Sequence, residues 1–224
     1  FDASLGKWKT APIDLELKDE ETKPFHAKPY PVPQSQEAKL KEKIKRLVGF
    51  GVLRKVNRSE WASPMFTVTK PDTTLRSIAD LRELNKRIRR KPFPIPKIQE
   101  LLHKLKGFQY ATSLDLNMGY YHIKLTPKAS SYCTVVLPWG KYEYLCLPMR
   151  LCNSPDIFQE KMSELMTGLE FARAYIDDLL ILTTGSFNKH LVHLETVLSR
   201  LSEAGLKVNT TKSFFGRTEL EYLG

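Results

Sequence analysis

The chain has 224 residues, 42% of them hydrophobic, enough for one domain or two closely joined subdomains and too apolar for wholesale disorder. Its formal charge of +10 points to an acidic polymer as partner, nucleic acid ahead of a membrane surface. No apolar run nears the ~20 residues of a membrane span, no signal peptide is expected, and Cys133, Cys146 and Cys152 lack metal-ligand spacing and fit a reducing compartment.

Residues 1–33 carry Pro12, Pro24, Pro29, Pro31 and Pro33, too many for a helix, and read as an extended arm. A helix is predicted from Ser35, with Leu40, Ile44, Leu47 and Val48 on one face, a solvated lysine face opposite, and Gly49 or Gly51 at its end. Residues 61–70 and 75–80 read as a hairpin around a Pro71–Thr74 turn, able to fold over a triphosphate and bring Lys70 and Arg76 with it. Lys86, Arg87, Arg89, Arg90 and Lys91 form the densest basic run, suited to sequence-independent, salt-sensitive phosphate contact. Pro92 to Pro96 read as a rigid connector into a helix with Ile98, Leu101, Leu102 and Leu105 on its apolar face, His103 on its surface and Gly107 at its close.

Next comes a strand in which Tyr110, Thr112, Leu114 and Leu116 alternate with Ala111, Ser113 and Asp115, so that the acid points away from the larger side chains. Tyr121 and His122 are expected to open another strand, and Tyr132–Leu137 and Lys141–Leu147 to flank a turn at Pro138–Gly140. Ser154 reads as an N-cap, with Pro155 at the first helical position, Asp156 in the first turn, and Phe158, Met162, Leu165 and Met166 facing inward. The run from Arg173 to Thr183 reads as a buried strand pair with Asp177 and Asp178 at its connecting turn. Ser186 should cap a long helix with Leu191, Leu194, Val197, Leu198 and Leu201 inward, ended by Gly205. His190 and His193 have zinc-like spacing but no further ligand nearby, so they read as surface residues. Leu206–Asn209 completes the pattern as a short strand.

The acids carry the chemistry. Two adjacent carboxylates in apolar surroundings repel each other and are costly to desolvate, which calls for a compensating cation; magnesium takes carboxylate oxygens together with phosphates. If the strands bearing Asp115, Asp177 and Asp178 are neighbours in one sheet, three carboxylates converge. Such a cluster suits two metal ions ~3.5–4 Å apart, one activating an attacking hydroxyl and one holding the leaving phosphate.

Tyr175-Ile-Asp-Asp178, the strand around Asp115, and Leu147-Pro-Met-Arg-Leu-Cys-Asn-Ser-Pro-Asp-Ile-Phe-Gln159 together resemble reverse transcriptases, those of gypsy-type LTR retrotransposon polyproteins in particular. The resemblance runs from about Phe25 to Gly224. It implies an α/β (α+β) fold of right-hand polymerase fingers and palm, with an antiparallel palm sheet backed by helices. The arm would be residues 1–33, the fingers 1–90 and 123–154, and the palm 91–122 and 155–224, with thumb, connection and RNase H absent. Phe1 in place of a methionine is expected of a piece of a longer polyprotein with a protease upstream.

The implied reaction is RNA-directed DNA synthesis: a primer 3′-hydroxyl attacks the α-phosphate of a deoxynucleoside triphosphate on an RNA or DNA template, with two Mg2+ ions that Mn2+ can replace. Asp115, Asp177 and the Leu116 carbonyl would be the main metal ligands, with Asp178 in weaker or indirect ligation. Lys70 and Arg76 match the phosphate-binding positions of the fingers hairpin, and Tyr120 matches an aromatic gate beneath the incoming sugar. Met149 matches a residue lining the nucleotide pocket, and Lys212 a lysine approaching the phosphates. Phe214–Gly216 and Leu220–Gly224 resemble the hairpin that grips the primer end. Implied partners are template and primer, deoxynucleoside triphosphates, and the protease, RNase H and integrase regions of the same polyprotein. No membrane is implied, and the expected place is the cytoplasm, within virus-like particles.

Four positions depart from the pattern. Arg150 stands where the family has glycine, Leu81 replaces an aromatic in the structural element Asp80–Asn85, and Pro71 and Thr73 stand where a lysine and a glycine are common. Arg150, Leu81 and Pro71 keep open a decayed or repurposed copy that binds nucleic acid without polymerising. An RNA-dependent RNA polymerase is the third reading, and Tyr120 argues against it.

Overall fold

A computed structural model describes residues 5–19, 21–69, 75–95, 107–116, 118–176 and 178–219. Lys70, Pro71, Thr73, the helix expected around Ile98–Leu105, Asp177 and the end of the primer-grip segment at 220–224 lie outside the described residues. In chain order the elements begin with α1 (Gln34–Gly49), β1 (Leu53–Val56), β2 (Ser63–Thr69), β3 (Leu75–Ala79), α2 (Arg82–Arg87) and β4 (Tyr110–Leu116). A 3-10 turn (Gly119–His122) leads to α3 (Pro127–Tyr132), β5 (Thr134–Leu137), β6 (Gly140–Tyr144) and α4 (Ser154–Leu165). The last are β7 (Ala172–Tyr175), β8 (Asp178–Thr183), α5 (Phe187–Ala204) and β9 (Val208–Arg217). The fold is mixed α/β, and its strand pairs are antiparallel except β2 with β5.

The chain divides into two compact units, and one holds Thr10–Arg90 with Tyr120–Ser154. Its sheet has the order β1-β6-β5-β2-β3. α1 buries Leu40, Ile44 and Leu47, an i, i+4, i+7 stripe, whereas Val48, expected on that face, is 39% exposed one step around the helix. From Thr10 to Pro33 the described residues form no helix, and isolated bridges Ile13–Leu125, Leu17–Ile88 and His26–Ala62 stitch this segment to the unit. The strand expected from Tyr121 is not there. Ile123 donates back to the Tyr120 carbonyl at 3.2 Å and closes the 3-10 turn before strand pairing can begin. A short helix, α3, then occupies the start of an expected strand: Thr126 caps it by accepting from the Ala129 amide, and Pro127 suits its first turn. The strand expected over Lys141–Leu147 runs from Gly140 to Tyr144, beyond which Cys146 keeps only an isolated antiparallel bridge to Lys124.

Asp80 and Arg82 form a two-point ion pair at 2.8 and 2.7 Å, and Arg82 with Tyr30 holds the Asp80 carboxyl down at about 2. Leu81, the aliphatic replacement, is 1% exposed and fills core. Asn85 then staples α2 to the turn at 150–152, donating to the Arg150 carbonyl at 2.9 Å and accepting from the Cys152 amide at 2.8 Å. Arg150 itself has φ +75, a left-handed conformation that glycine adopts without cost. Its side chain is exposed, so Arg150→Gly should stabilise the unit by roughly 0.5–1 kcal/mol in urea unfolding.

The second unit comprises Phe1–Lys9, Lys91–Gly119 and Pro155–Gly224 around an antiparallel sheet of order β7-β8-β4-β9. α4 packs through Phe158 and Met162, Met166 just past its end is also buried, and the Trp8 and Phe158 rings meet in a T at a centroid distance of 5.7 Å. α5 starts at the expected Ser186 cap and ends at Gly205, φ +81, but its inward stripe is His190, Val197 and Leu201. Leu191, expected inward, is 46% exposed because the stripe is centred one residue earlier. β9 is one ten-residue strand where a short strand and a separate hairpin were expected. Among the described residues it pairs on one side only and shifts register twice against β4, so its sequence shows no alternation.

Candidate functional site

The site begins with a register. β4 and β8 run antiparallel with Tyr110 opposite Thr183, and five pairs further along, Asp115 falls opposite Asp178. Opposed residues share a face, with Cβ atoms ~4.5–5.5 Å apart, so the two carboxylates meet side by side. Asp177, next in the chain to Asp178, lies outside the described residues. Like charges in this arrangement repel unless a cation sits with them. The Lys212 ammonium is 3.8 Å from Asp115 Oδ2, but its side chain is 68% exposed, so water screens it. Among the described residues, two half-buried carboxylates stand beside one solvated ammonium, a set of hard oxygen donors of the kind a divalent ion such as Mg2+ takes. Among the described residues no group of three His, Cys, Asp or Glu side chains is placed to hold a metal. Asp115 is steadied from β9: its amide donates to Ser213 Oγ at 3.1 Å, and that hydroxyl donates to the Asn209 carbonyl at 2.7 Å. Leu116, 3% exposed, ends β4 opposite Val208.

The turn between β7 and β8 is strained. Ile176 has φ +53, which costs a β-branched residue on the order of 1–3 kcal/mol. Gln159, 1% exposed on α4, holds it there: Oε1 accepts from the Ile176 amide at 2.7 Å, while Nε2 donates to the Ala174 carbonyl at 3.0 Å and to Ser163 Oγ at 3.2 Å. Sequence alone gives Gln159 no visible role, since nothing in a helix pattern shows which backbone a buried amide will meet.

His190 and His193 are a correction. His190 is fully buried, with Nε2 2.7 Å from Thr112 Oγ1 and Nδ1 2.9 Å from Thr183 Oγ1. His193 meets the same Thr183 hydroxyl at 3.0 Å and stacks on Phe171 at 3.8 Å. Burial first, then the neighbouring charge of His193 for one ring and of Lys189 for the other, pushes both below the ordinary 6.5. The groups facing His190 from the strands are Thr112, Thr183 and the Tyr110 ring, none of them an acid. An unfolded chain therefore binds protons that the folded chain resists. Stability from this cluster is complete above about pH 6.5 and falls as the pH drops below that toward the folded values. The urea midpoint should decline between about pH 7 and pH 5, and the slope should flatten in His190→Gln.

In the other unit, Arg76 is exposed on β3 opposite Val68, Tyr120 is half-buried in the 3-10 turn, and Met149 is 37% exposed. Within the basic run, Lys86 and Arg87 both pair with Glu83, at 2.6 and 2.8 Å. Arg87 also lies over the Phe25 ring at 5.4 Å and reaches the Lys23 carbonyl. Arg89 donates to the Lys18 carbonyl at 3.1 Å, and Arg90 and Lys91 are exposed. Much of this run thus braces the arm.

Residues 68–224 match the family described as reverse transcriptase (RNA-dependent DNA polymerase). The retrovirus-related Pol polyprotein from transposon 297 of Drosophila melanogaster is 32% identical over 208 residues, covering 90% of this chain and 20% of that polyprotein. The corresponding polyprotein from transposon opus of the same fly is 31% identical over 219 residues, 95% of this chain and 22% of that one. The chain therefore spans about a fifth of the length of these relatives. Among solved structures, a prototype foamy virus protease-reverse transcriptase mutant matches 100% of this chain and 30% of its own, with TM-score 0.90 and 27% identity. A foamy viral protease-reverse transcriptase in complex with RNA/DNA hybrid matches the same shares with TM-score 0.90 and 25% identity.

Proposed function

This chain belongs to the reverse transcriptase family, and we propose that it carries the nucleotide-adding centre of an RNA-directed DNA polymerase within a retrotransposon polyprotein. The observation that carries the reading is the pairing of Asp115 with Asp178 on one sheet face, beside a strained turn that leads into Asp177. The two units are proposed as palm, bearing the acids, and fingers. Template, primer and deoxynucleoside triphosphates are the proposed partners, with protease, RNase H and integrase regions in the same polyprotein and virus-like particles in the cytoplasm as the setting.

Asp115, Asp177 and the Leu116 carbonyl are the proposed ligands of two Mg2+ ions, or Mn2+ in their place, with Asp178 adding charge beside them. Ions so held would make the primer 3′-hydroxyl a better nucleophile and offset charge on the phosphates. The other roles fall to the chain's own groups. Lys70, Arg76 and Lys212 offset triphosphate charge, the planar guanidinium of Arg76 being able to grip two oxygens. Tyr120 leaves no room for a 2′-hydroxyl, and Met149 shapes the sugar's surroundings. Lys86, Arg87, Arg89, Arg90 and Lys91 meet nucleic-acid phosphates without regard to sequence, Lys86 and Arg87 while also paired with Glu83. Positioning and fixed charge do most of this work, and no side chain is needed as general base.

The test is primer extension on poly(rA)/oligo(dT) by this chain carried in its polyprotein. The parent should extend with dTTP, and Tyr120→Ala should admit ribonucleotides at least about tenfold more readily. Unchanged sugar selectivity in that variant would remove the gate. The exposed, long cationic side chain of Arg150, where the family has glycine, favours a second reading, a nucleic-acid binder that does not polymerise. Intact hybrid binding with no product would establish it.

A further inference from the structure

Behind the sheet, on the face away from the acids, lies a hydrogen-bonded chain that the proposed reaction does not use. Thr112 is three residues before Asp115 and Thr183 five after Asp178, so both hydroxyls point to the opposite face. Thr112 is opposite Ile181, which makes Thr112 and Thr183 diagonal neighbours on the two acid-bearing strands. The imidazole of His190 fills that diagonal, 2.7 Å from one hydroxyl and 2.9 Å from the other. Thr112 also accepts from the Gly216 amide at 3.0 Å, which brings in β9, and Thr183 meets His193 at 3.0 Å. One proton arrangement satisfies every member. The Thr112 hydroxyl donates to Nε2, Nδ1–H donates to Thr183, and the Thr183 hydroxyl donates to His193 Nδ1. All three bridge residues are buried, with His190 and Thr112 at 0% exposure and Thr183 at 2%, so an open bridge would leave hydroxyls without water.

We infer that His190 is a positioning residue: by joining Thr112 on β4 to Thr183 on β8 it holds those strands in the register that sets Asp115 opposite Asp178. The geometry closes in one register only. Sliding β8 by one residue turns Thr183 to the other face, and sliding it by two moves its hydroxyl ~7 Å along the strand, past the reach of one imidazole. Backbone ladder bonds are indifferent to such a two-residue slip, because they re-form one pair along. A side-chain bridge is not. The consequence for catalysis rests on the reverse transcriptase reading; the register lock does not.

Hydrogen exchange and single-turnover nucleotide incorporation on the whole chain test the inference together. In His190→Phe, which keeps a ring and removes both contacts, amides of β4 and β8 should exchange at least about tenfold faster, while those of the β5–β6 ladder keep their protection. Incorporation at saturating deoxynucleotide should slow about tenfold with half-saturation unchanged, the mark of displaced acids rather than weakened nucleotide binding. Thr183→Val, which cuts the bridge from the other side, should act in the same direction, and His190→Gln, with a donor and an acceptor on one amide, should recover part of both effects. Exchange that is unchanged, or that rises equally in both units, would overturn the lock. An unaltered incorporation rate over a loosened ladder would overturn the positioning role. A parent that adds no nucleotide under any divalent ion would defeat the polymerase reading, and the exchange result alone would then decide what His190 does.

Discussion

Asp115→Asn should stop nucleotide addition and, in the same molecule, make the protein harder to unfold. The loss follows from removing one of two opposed carboxylates: the amide is nearly isosteric, donates where the acid accepted, and carries no charge to hold a divalent ion. Metal-borne stabilisation of a phosphoryl-transfer transition state is worth several kcal/mol, so a fall of about a thousandfold or more in single-turnover rate is expected. The stability gain has the same source. Asp115 and Asp178 face each other across β4 and β8, an arrangement that disfavours the folded state without a cation. Lys212, 3.8 Å away and 68% exposed, offsets little of it. Neutralising one acid should raise unfolding stability by roughly 0.5–1 kcal/mol in metal-free buffer, and less when Mg2+ is present. A variant that loses activity by simply unfolding would show the opposite sign.

Gly205→Ala should be the most damaging single change to stability outside the core. Gly205 ends α5 with φ +81, and a Cβ built there would lie 2.2 Å from the Lys7 carbonyl oxygen, far inside contact distance with backbone that cannot swing away. The arm is held at that point by Lys7 donating to the Gly205 carbonyl and Lys9 to that of Ala204, each at 2.9 Å, with Trp8 between them packed on Phe158. Displacing this segment gives up both bonds and much of the Trp8 burial, and the left-handed alanine adds its own strain, together about 3–4 kcal/mol. Gly168 supplies the control. It has φ +80 but nothing within 4 Å of its Cβ position, so Gly168→Ala should cost only about 1 kcal/mol. Urea unfolding of the pair separates the clash from the conformation. Equal losses would mean that residues 7–9 do not sit against the end of α5.

The acids were conspicuous in the sequence because carboxylates are incongruous between apolar strand residues, and the period-two pattern from Tyr110 to Leu116 told which way Asp115 points. That Asp115 falls opposite Asp178 needed the strand order β7-β8-β4-β9, and no periodicity carries that. His190 misled for a related reason. A histidine beside Leu191 looks like the polar edge of an apolar stripe, yet its partners are hydroxyls 78 and 7 residues away in the chain, and they draw it inward and turn Leu191 to solvent. Gln159 was hidden in the same way, its task being set by the backbone of Ile176. β9 was misjudged because an edge strand with shifts in register has no face to advertise. At Arg150 a glycine expected from family resemblance gives way to an arginine, and the backbone keeps the left-handed conformation all the same, φ +75. The local fold there outweighs the residue.

The most direct test of the whole account is calorimetric titration of Mn2+ into the parent chain, Asp115→Asn and Asp177→Ala. Acids joined in one cradle predict saturable binding in the parent that weakens at least about tenfold in either variant, although 62 positions separate the two acids in the sequence. Binding that is lost with Asp177 but unchanged with Asp115, or the reverse, would show that these carboxylates do not share an ion, and would contradict it.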